Sequence, residues 1–131
     1  MRAVLRRKVT PEELLERIGL AETLKDEEIL PDLLVAYMAY EEEGEYSYVV
    51  EEEVPLSLAR RLLSPKMSKL IDLLKSSEGL CVSEIARALN RSPPNVYADL
   101  KFLAHHNLVT LERRGRRAVP HLLMEELRII P

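Results

Sequence analysis

From residue 65 onward the apolar positions follow a helical beat: Met67, Leu70, Ile71 and Leu74 recur three or four apart until the Ser76-Ser77-Glu78-Gly79 break. Ser64 followed by Pro65 is an N-cap and first-turn pair, so this stretch predicts one amphipathic helix of about three turns. Ser83 is the expected cap of a short second helix with Ile85, Ala86 and Leu89 on its inner face, and Asn90-Arg91-Ser92 supplies a turn. Ser92 then caps a third helix with Pro93 at its first position, where the missing N–H costs nothing, and Pro94 still inside the tolerant first turn. Val96, Leu100 and Leu103 form its buried stripe, and Asn107 takes the left-handed exit position, so the helix should stop near His106. Beyond it "LVTLE" alternates, "RRGRR" interrupts and "AVPHLL" turns apolar again, the pattern of two short strands joined by a glycine-containing loop.

The first half is patterned less cleanly. Pro11 and the two glutamates after it start a helix over 11–18, and Asp32 can cap a second one that Gly44 would end. "LLVAYMAYEEE" at 33–43 reads either as that helix, the preferred reading, or as a strand pairing with 46–53 through "EEGE". "YSYVVEEEV" has the aromatic and β-branched content of a strand, and 56–63 is a short helix or turn. The chain is therefore expected to be mainly α with a small β component (α+β), divided into an acidic N-terminal extension, 1–60, and a compact unit, 61–131.

Composition narrows the class. A chain of 131 residues, 47% hydrophobic, has material for one core and an appendage. No apolar run approaches about 18 residues, and the arginine-rich Met1–Val9 segment lacks a long apolar stretch, so neither a membrane span nor a signal peptide is expected, and a cytoplasmic protein is. The lone Cys81 suits a small buried hydrophobe in a reducing compartment. The net charge of −3 conceals an asymmetry. Residues 1–64 hold 8 Lys/Arg against 15 Asp/Glu, a balance of −7, and residues 65–131 hold 11 against 7, a balance of +4. Because attraction to phosphates is local, within about 10 Å at moderate salt, the basic half is the better guide to a polyanion partner.

Helix, short helix, tight turn, helix, hairpin is the order of a winged helix-turn-helix, in which the helix after the turn, here 93–106, enters the major groove and the hairpin lies beside it. With Val96, Leu100 and Leu103 inward, Ser92, Pro94, Asn95, Tyr97, Ala98 and Lys101 fall on or near the outward face. Asn95 is the leading base-reading candidate, since an amide pairs bidentately with adenine. Ser92, if not consumed as the cap, Tyr97, Lys101 and Arg91 are candidates for phosphate contacts. Arg113, Arg114, Arg116 and Arg117 around Gly115, in the loop region 112–117, are candidates for the backbone or the minor groove. Each has a plainer reading: Asn95 as a partner in the helix cap, Tyr97 as packing, the arginines as a solvated edge that resists aggregation.

No catalytic arrangement emerges. The glutamates occur in solvated runs, there is no glycine-rich phosphate loop, and no Ser-His-Asp set stands out. His105 and His106 are adjacent, so they project about 100° apart on a helix and do not chelate one metal together. No enzyme activity and no cofactor are expected.

Residues 89–129, "LNRSPPNVYADLKFLAHHNLVTLERRGRRAVPHLLMEELRI", resemble a family of archaeal winged-helix transcriptional regulators distantly similar to MarR-type proteins. Asn95, Val96, Asp99, Leu100, Lys101 and Leu103 match that family's recognition-helix pattern, and Gly115, Arg116, Arg117 and Pro120 match its wing. Ala98 stands where an arginine is common, Asn107 replaces an exit glycine, Ala118 a lysine and Met124 an aromatic residue. The resemblance implies a transcriptional regulator that binds double-stranded DNA, with a homodimer expected because one short helix supplies few base contacts. An unidentified effector or protein partner is left open. The alternative is a winged helix serving as a protein-interaction module, antitoxin-like or assembling a complex, whose acidic arm binds a basic partner.

Overall fold

A computed structural model describes all of residues 1–131. In chain order the elements are β1 (Arg2–Lys8), α1 (Pro11–Leu24), α2 (Leu30–Glu43), β2 (Val49–Val54), α3 (Leu56–Leu62), α4 (Pro65–Ser76), α5 (Val82–Leu89), α6 (Pro93–His105), β3 (Val109–Arg114), β4 (Arg117–Leu122) and β5 (Met124–Ile130). The protein is α+β, with six helices and a small antiparallel β component. β1 lies between β2 and β5 in a three-stranded sheet, and β3 and β4 form a separate hairpin. No helix is long and apolar enough to cross a membrane.

The chain separates into two compact units, one of residues 1–5 with 52–131 and one of residues 6–51. Residues 1–5 and 52–60, assigned from the sequence to the N-terminal extension, thus belong with the larger unit. The reason is apolar: Leu5, Leu58 and Leu62 are buried in the same core as the side chains of α4, α5 and α6.

That larger core is built on the helical spacing seen in the sequence. Met67, Leu70 and Leu74 of α4, Ile85 and Ala86 of α5, and Val96, Leu100 and Leu103 of α6 are all buried. Leu108 and Val109 close it from β3's side. Full burial of each such leucine or valine is worth about 1.5–3 kcal/mol. α5 begins at Cys81 rather than Ser83: the Glu84 carboxylate accepts from the Cys81 backbone N–H at 3.0 Å, a donor that helix geometry leaves free, and Ser83 sits inside the first turn. Cys81 is itself buried, as its apolar setting implies. Asn90 (φ 53°) ends α5 and Asn107 (φ 60°) follows α6, both in the left-handed region that Asn tolerates better than most residues.

In the smaller unit α1 and α2 pack against each other over Val9, Leu14, Ile18, Ala21, Leu33 and Ala36. α1 runs on to Leu24, beyond the expected 18, and 30–43 is the helix rather than the alternative strand. β1 escaped the pattern because its inward positions are Ala3, Leu5 and Arg7, and a buried arginine reads as surface. Arg7 is 3% exposed, and its guanidinium donates to both oxygens of Glu13 at 2.9 and 3.1 Å, with Arg17 Nε donating to the same carboxylate at 2.9 Å. Burial pushes the Glu13 carboxyl up, but the hydrogen bonds from Arg7 and Arg17 outweigh it and hold the group below its usual range.

A carboxyl lowered on folding contributes stability that is present above its unfolded value and lost as pH falls through the folded one. Glu13→Gln should therefore cost about 1.5–3 kcal/mol at pH 7 in urea unfolding, and the deficit should shrink as pH is lowered below about 4.5. A deficit unchanged with pH would show that the carboxylate's charge is not what holds Arg7.

Candidate nucleic-acid interface

α6 presents its functional candidates because its opposite side is occupied. With Val96, Leu100 and Leu103 fully buried, Pro94, Asn95, Ala98 and Lys101 are exposed and Tyr97 is half-buried. Ser92 caps the helix, its Oγ accepting from the Asn95 N–H at 3.4 Å, which leaves the hydroxyl proton to donate elsewhere. The Asn95 side chain takes no part in that cap. Lys101 Nζ lies 5.7 Å from the Tyr97 ring centroid.

The hairpin is pinned in register from Val109↔Leu122 to Arg114↔Arg117, leaving Gly115 and Arg116 as a two-residue loop. Gly115 has φ 65°, which a two-residue turn of this kind demands and which a side chain would resist. Arg114 and Arg117 stand directly opposite each other, a like-charge pair that works against the ladder. Arg114 relieves part of this by donating to both oxygens of Glu112 at 3.2 Å, and His121 Nε2 approaches the same carboxylate at 2.6 Å. Hydrogen bonds from Arg114 and then His121 hold Glu112 below the usual carboxylate range. Arg113, Arg116 and Arg117 remain exposed.

Two clefts flank α6. The first, about 410 Å³, lies between the starts of α5 and α6 and the hairpin, with Val82, Pro94, Tyr97, Arg113, Arg116 and Arg117 among its walls. Three hairpin arginines expected from the sequence thus share one concavity with the first turns of α6. The second, about 400 Å³, is bounded by Arg61, Ser64, Lys66 and Met67 from the α3–α4 corner and by Arg91, Asn95, Ala98 and Asp99. Arg91 is less available than its place in the turn implies. Its Nη2 donates to Asp99 Oδ2 at 2.7 Å with both side chains largely covered, while its Nη1 is buried without a partner.

The sequence reading missed Arg61 and Lys66. Arg61 stacks on Phe102, its guanidinium carbon 3.7 Å from the ring centroid, and no sequence period links residues 41 positions apart. Unlike the hairpin arginines, these two cations stand in different elements and form no run.

Fold and site together define a small α+β protein in which α6 is bracketed by two clefts lined with cationic side chains. Residues 62–129, more than half of the chain, match the HVO_A0114 family model, and the chain belongs to that family. The match begins at the end of α3 and ends in β5, so it takes in both clefts apart from Arg61. No curated protein matches the chain.

Asp99→Asn should leave Arg91 half-buried with a weakened partner and cost about 1–3 kcal/mol, measured by urea unfolding. A variant as stable as the parent would mean that the Arg91–Asp99 pair contributes nothing to holding the turn before α6.

Proposed function

We propose that the protein is a DNA-binding transcriptional regulator of the winged helix-turn-helix type, with α6 in the major groove and the β3–β4 hairpin as a wing on the phosphate backbone. The observation that carries this reading is the first cleft, where Arg113, Arg116 and Arg117 converge with the N-terminal turns of α6. Clustered guanidinium groups favour phosphate oxygens. Arg114 opposite Arg117 works against the hairpin's own stability, as expected where function rather than folding sets the residue. The larger unit is also the basic one, with 14 Lys/Arg against 9 Asp/Glu, whereas residues 6–51 hold 5 against 13. In this reading Asn95 reads a base edge, Lys101 and the wing hold phosphates, and two copies act together on paired half-sites about 34 Å apart.

A second reading, a protein-interaction module, has its own observation. The smaller unit exposes Leu20 (59%), Leu24 (68%), Val35 (67%) and Met38 (55%) amid its surplus of acidic residues, a surface suited to a partner with apolar and basic side chains.

Fluorescence anisotropy with a mixed-sequence duplex of about 20 base pairs separates the two. Under the DNA reading, affinity falls steeply with salt, and Arg116→Ala with Arg117→Ala lowers the slope of log affinity against log salt by about 2. Absence of binding at low salt overturns it and favours the second reading. On a site recovered from a random pool, Asn95→Ala should cost about 1–3 kcal/mol of discrimination while mixed-sequence affinity is spared. Equal loss on both would assign Asn95 to the backbone or to the helix cap.

A further inference from the structure

We infer that the second cleft is a phosphate grip for the DNA strand opposite the one the wing holds, with Lys66 and Arg61 as its principal cations. The inference rests on the proposed DNA-binding function and adds to it residues outside both the recognition-type helix and the hairpin.

Helical geometry sets the two clefts apart. At about 100° per residue, Pro93 and Tyr97 lie toward one flank of α6, Asn95 and Asp99 toward the other, and Pro94, Ala98 and Lys101 lie on the ridge between them. A helix about 10–12 Å across fills a major groove about 12 Å wide, so a docked helix meets a phosphate wall on each side. A protein that grips only one wall leaves α6 free to roll in the groove. Cations on both flanks fix its rotation, and with it the aim of Asn95, which borders the second cleft.

The second cleft has the chemistry for this. It sets Arg61, Lys66 and Arg91 against one carboxylate, Asp99, and that carboxylate is already engaged by Arg91. Stacking on Phe102 orders the Arg61 guanidinium without using its N–H donors. Lys66 is exposed at the start of α4. The Ser64 hydroxyl turns back to donate to the Arg61 carbonyl at 2.7 Å, so α4 begins without a side-chain cap. Arg91 adds charge to the wall of the cleft, but its Nη2 is held by Asp99 and its Nη1 is buried, so Lys66 and Arg61 carry the grip.

The test is anisotropy on the same mixed-sequence duplex across a salt series, with Lys66→Ala, Lys66→Arg and Arg61→Gln beside the wing double variant. Lys66→Ala should lower the salt slope by about 1, so that its deficit against the parent shrinks about fourfold between roughly 50 and 200 mM salt. Lys66→Arg should restore the slope, Arg61→Gln should reduce it, and combination with the wing variant should subtract further. Unchanged slopes for Lys66→Ala and Arg61→Gln, with the wing effect intact, overturn the second grip and leave the DNA reading standing. So does a loss of affinity equal at every salt concentration, since that is a structural effect. A parent protein that shows no salt-dependent binding overturns both.

Discussion

The burial of Val96, Leu100 and Leu103 is the constraint on which the rest of the molecule's surface depends. These three residues put α6 on the core shared by α4, α5 and β3, each of them with no exposure at all. A helix pinned along one stripe has no rotational freedom, so every outward position is determined once the inward ones are. Asn95, Ala98 and Lys101 are displayed because Val96, Leu100 and Leu103 are hidden. The capping serine and the two prolines fix where the helix begins, and Asn107 fixes where the chain leaves it for β3. The core is therefore also what aims the surface.

Electrostatics divides the cations into two populations. Arg7 is spent on Glu13, Arg91 largely on Asp99, and Arg114 on Glu112, where hydrogen-bonded carboxylates absorb their charge. Arg113, Arg116, Lys66 and Lys101 are exposed, and Arg61 is ordered by a ring rather than by an acid. The second population gathers around α6. An exposed ion pair contributes little to stability, about 0–1 kcal/mol, so cations collected without acids are not explained by folding alone. The proposed polyanion partner would repay the cost of their arrangement through counterion release.

Much of this was legible in the sequence, and what was not has identifiable causes. α4, α6 and the hairpin are local objects: apolar spacing, Ser-Pro starts, an Asn exit and a glycine between arginines specify each within a dozen residues. The helix at 30–43 was legible only as the better of two readings, because a continuous apolar run such as "LLVAYMAY" fits either period. β1 was illegible because Arg7 occupies an inward strand position, where the Glu13 carboxylate compensates its charge, and a partner six residues on leaves no mark on periodicity. The start of α5 at Cys81 shows the same limit on a smaller scale. There a glutamate bonded to a backbone N–H replaces the serine that composition favours. Of the candidate site, the α6 face and the hairpin arginines follow from sequence order, whereas the Arg61–Lys66 cleft depends on α3 folding over Phe102.

The character of the α6 face also bears on which partner suits it. Protein interfaces owe most of their affinity to large aromatic and apolar anchors that fill pockets at the centre of the contact. The ridge of α6 offers Pro94, Ala98 and Lys101, with Tyr97 half-buried to one side, and nothing there resembles such an anchor. Small side chains on a helix between two cationic clefts let the backbone approach closely while charge holds either edge, which is the requirement of a grooved polyanion rather than of a globular surface. Six of the nine most exposed large hydrophobic residues, Leu15, Leu20, Leu24, Leu34, Val35 and Met38, lie instead in α1 and α2, within the acidic unit. Apolar association and polyanion binding therefore draw on different residues. A partner protein on the one need not compete for the side chains that the proposed function assigns to DNA on the other, and the presence of an apolar acidic surface does not weigh against the proposed reading of α6.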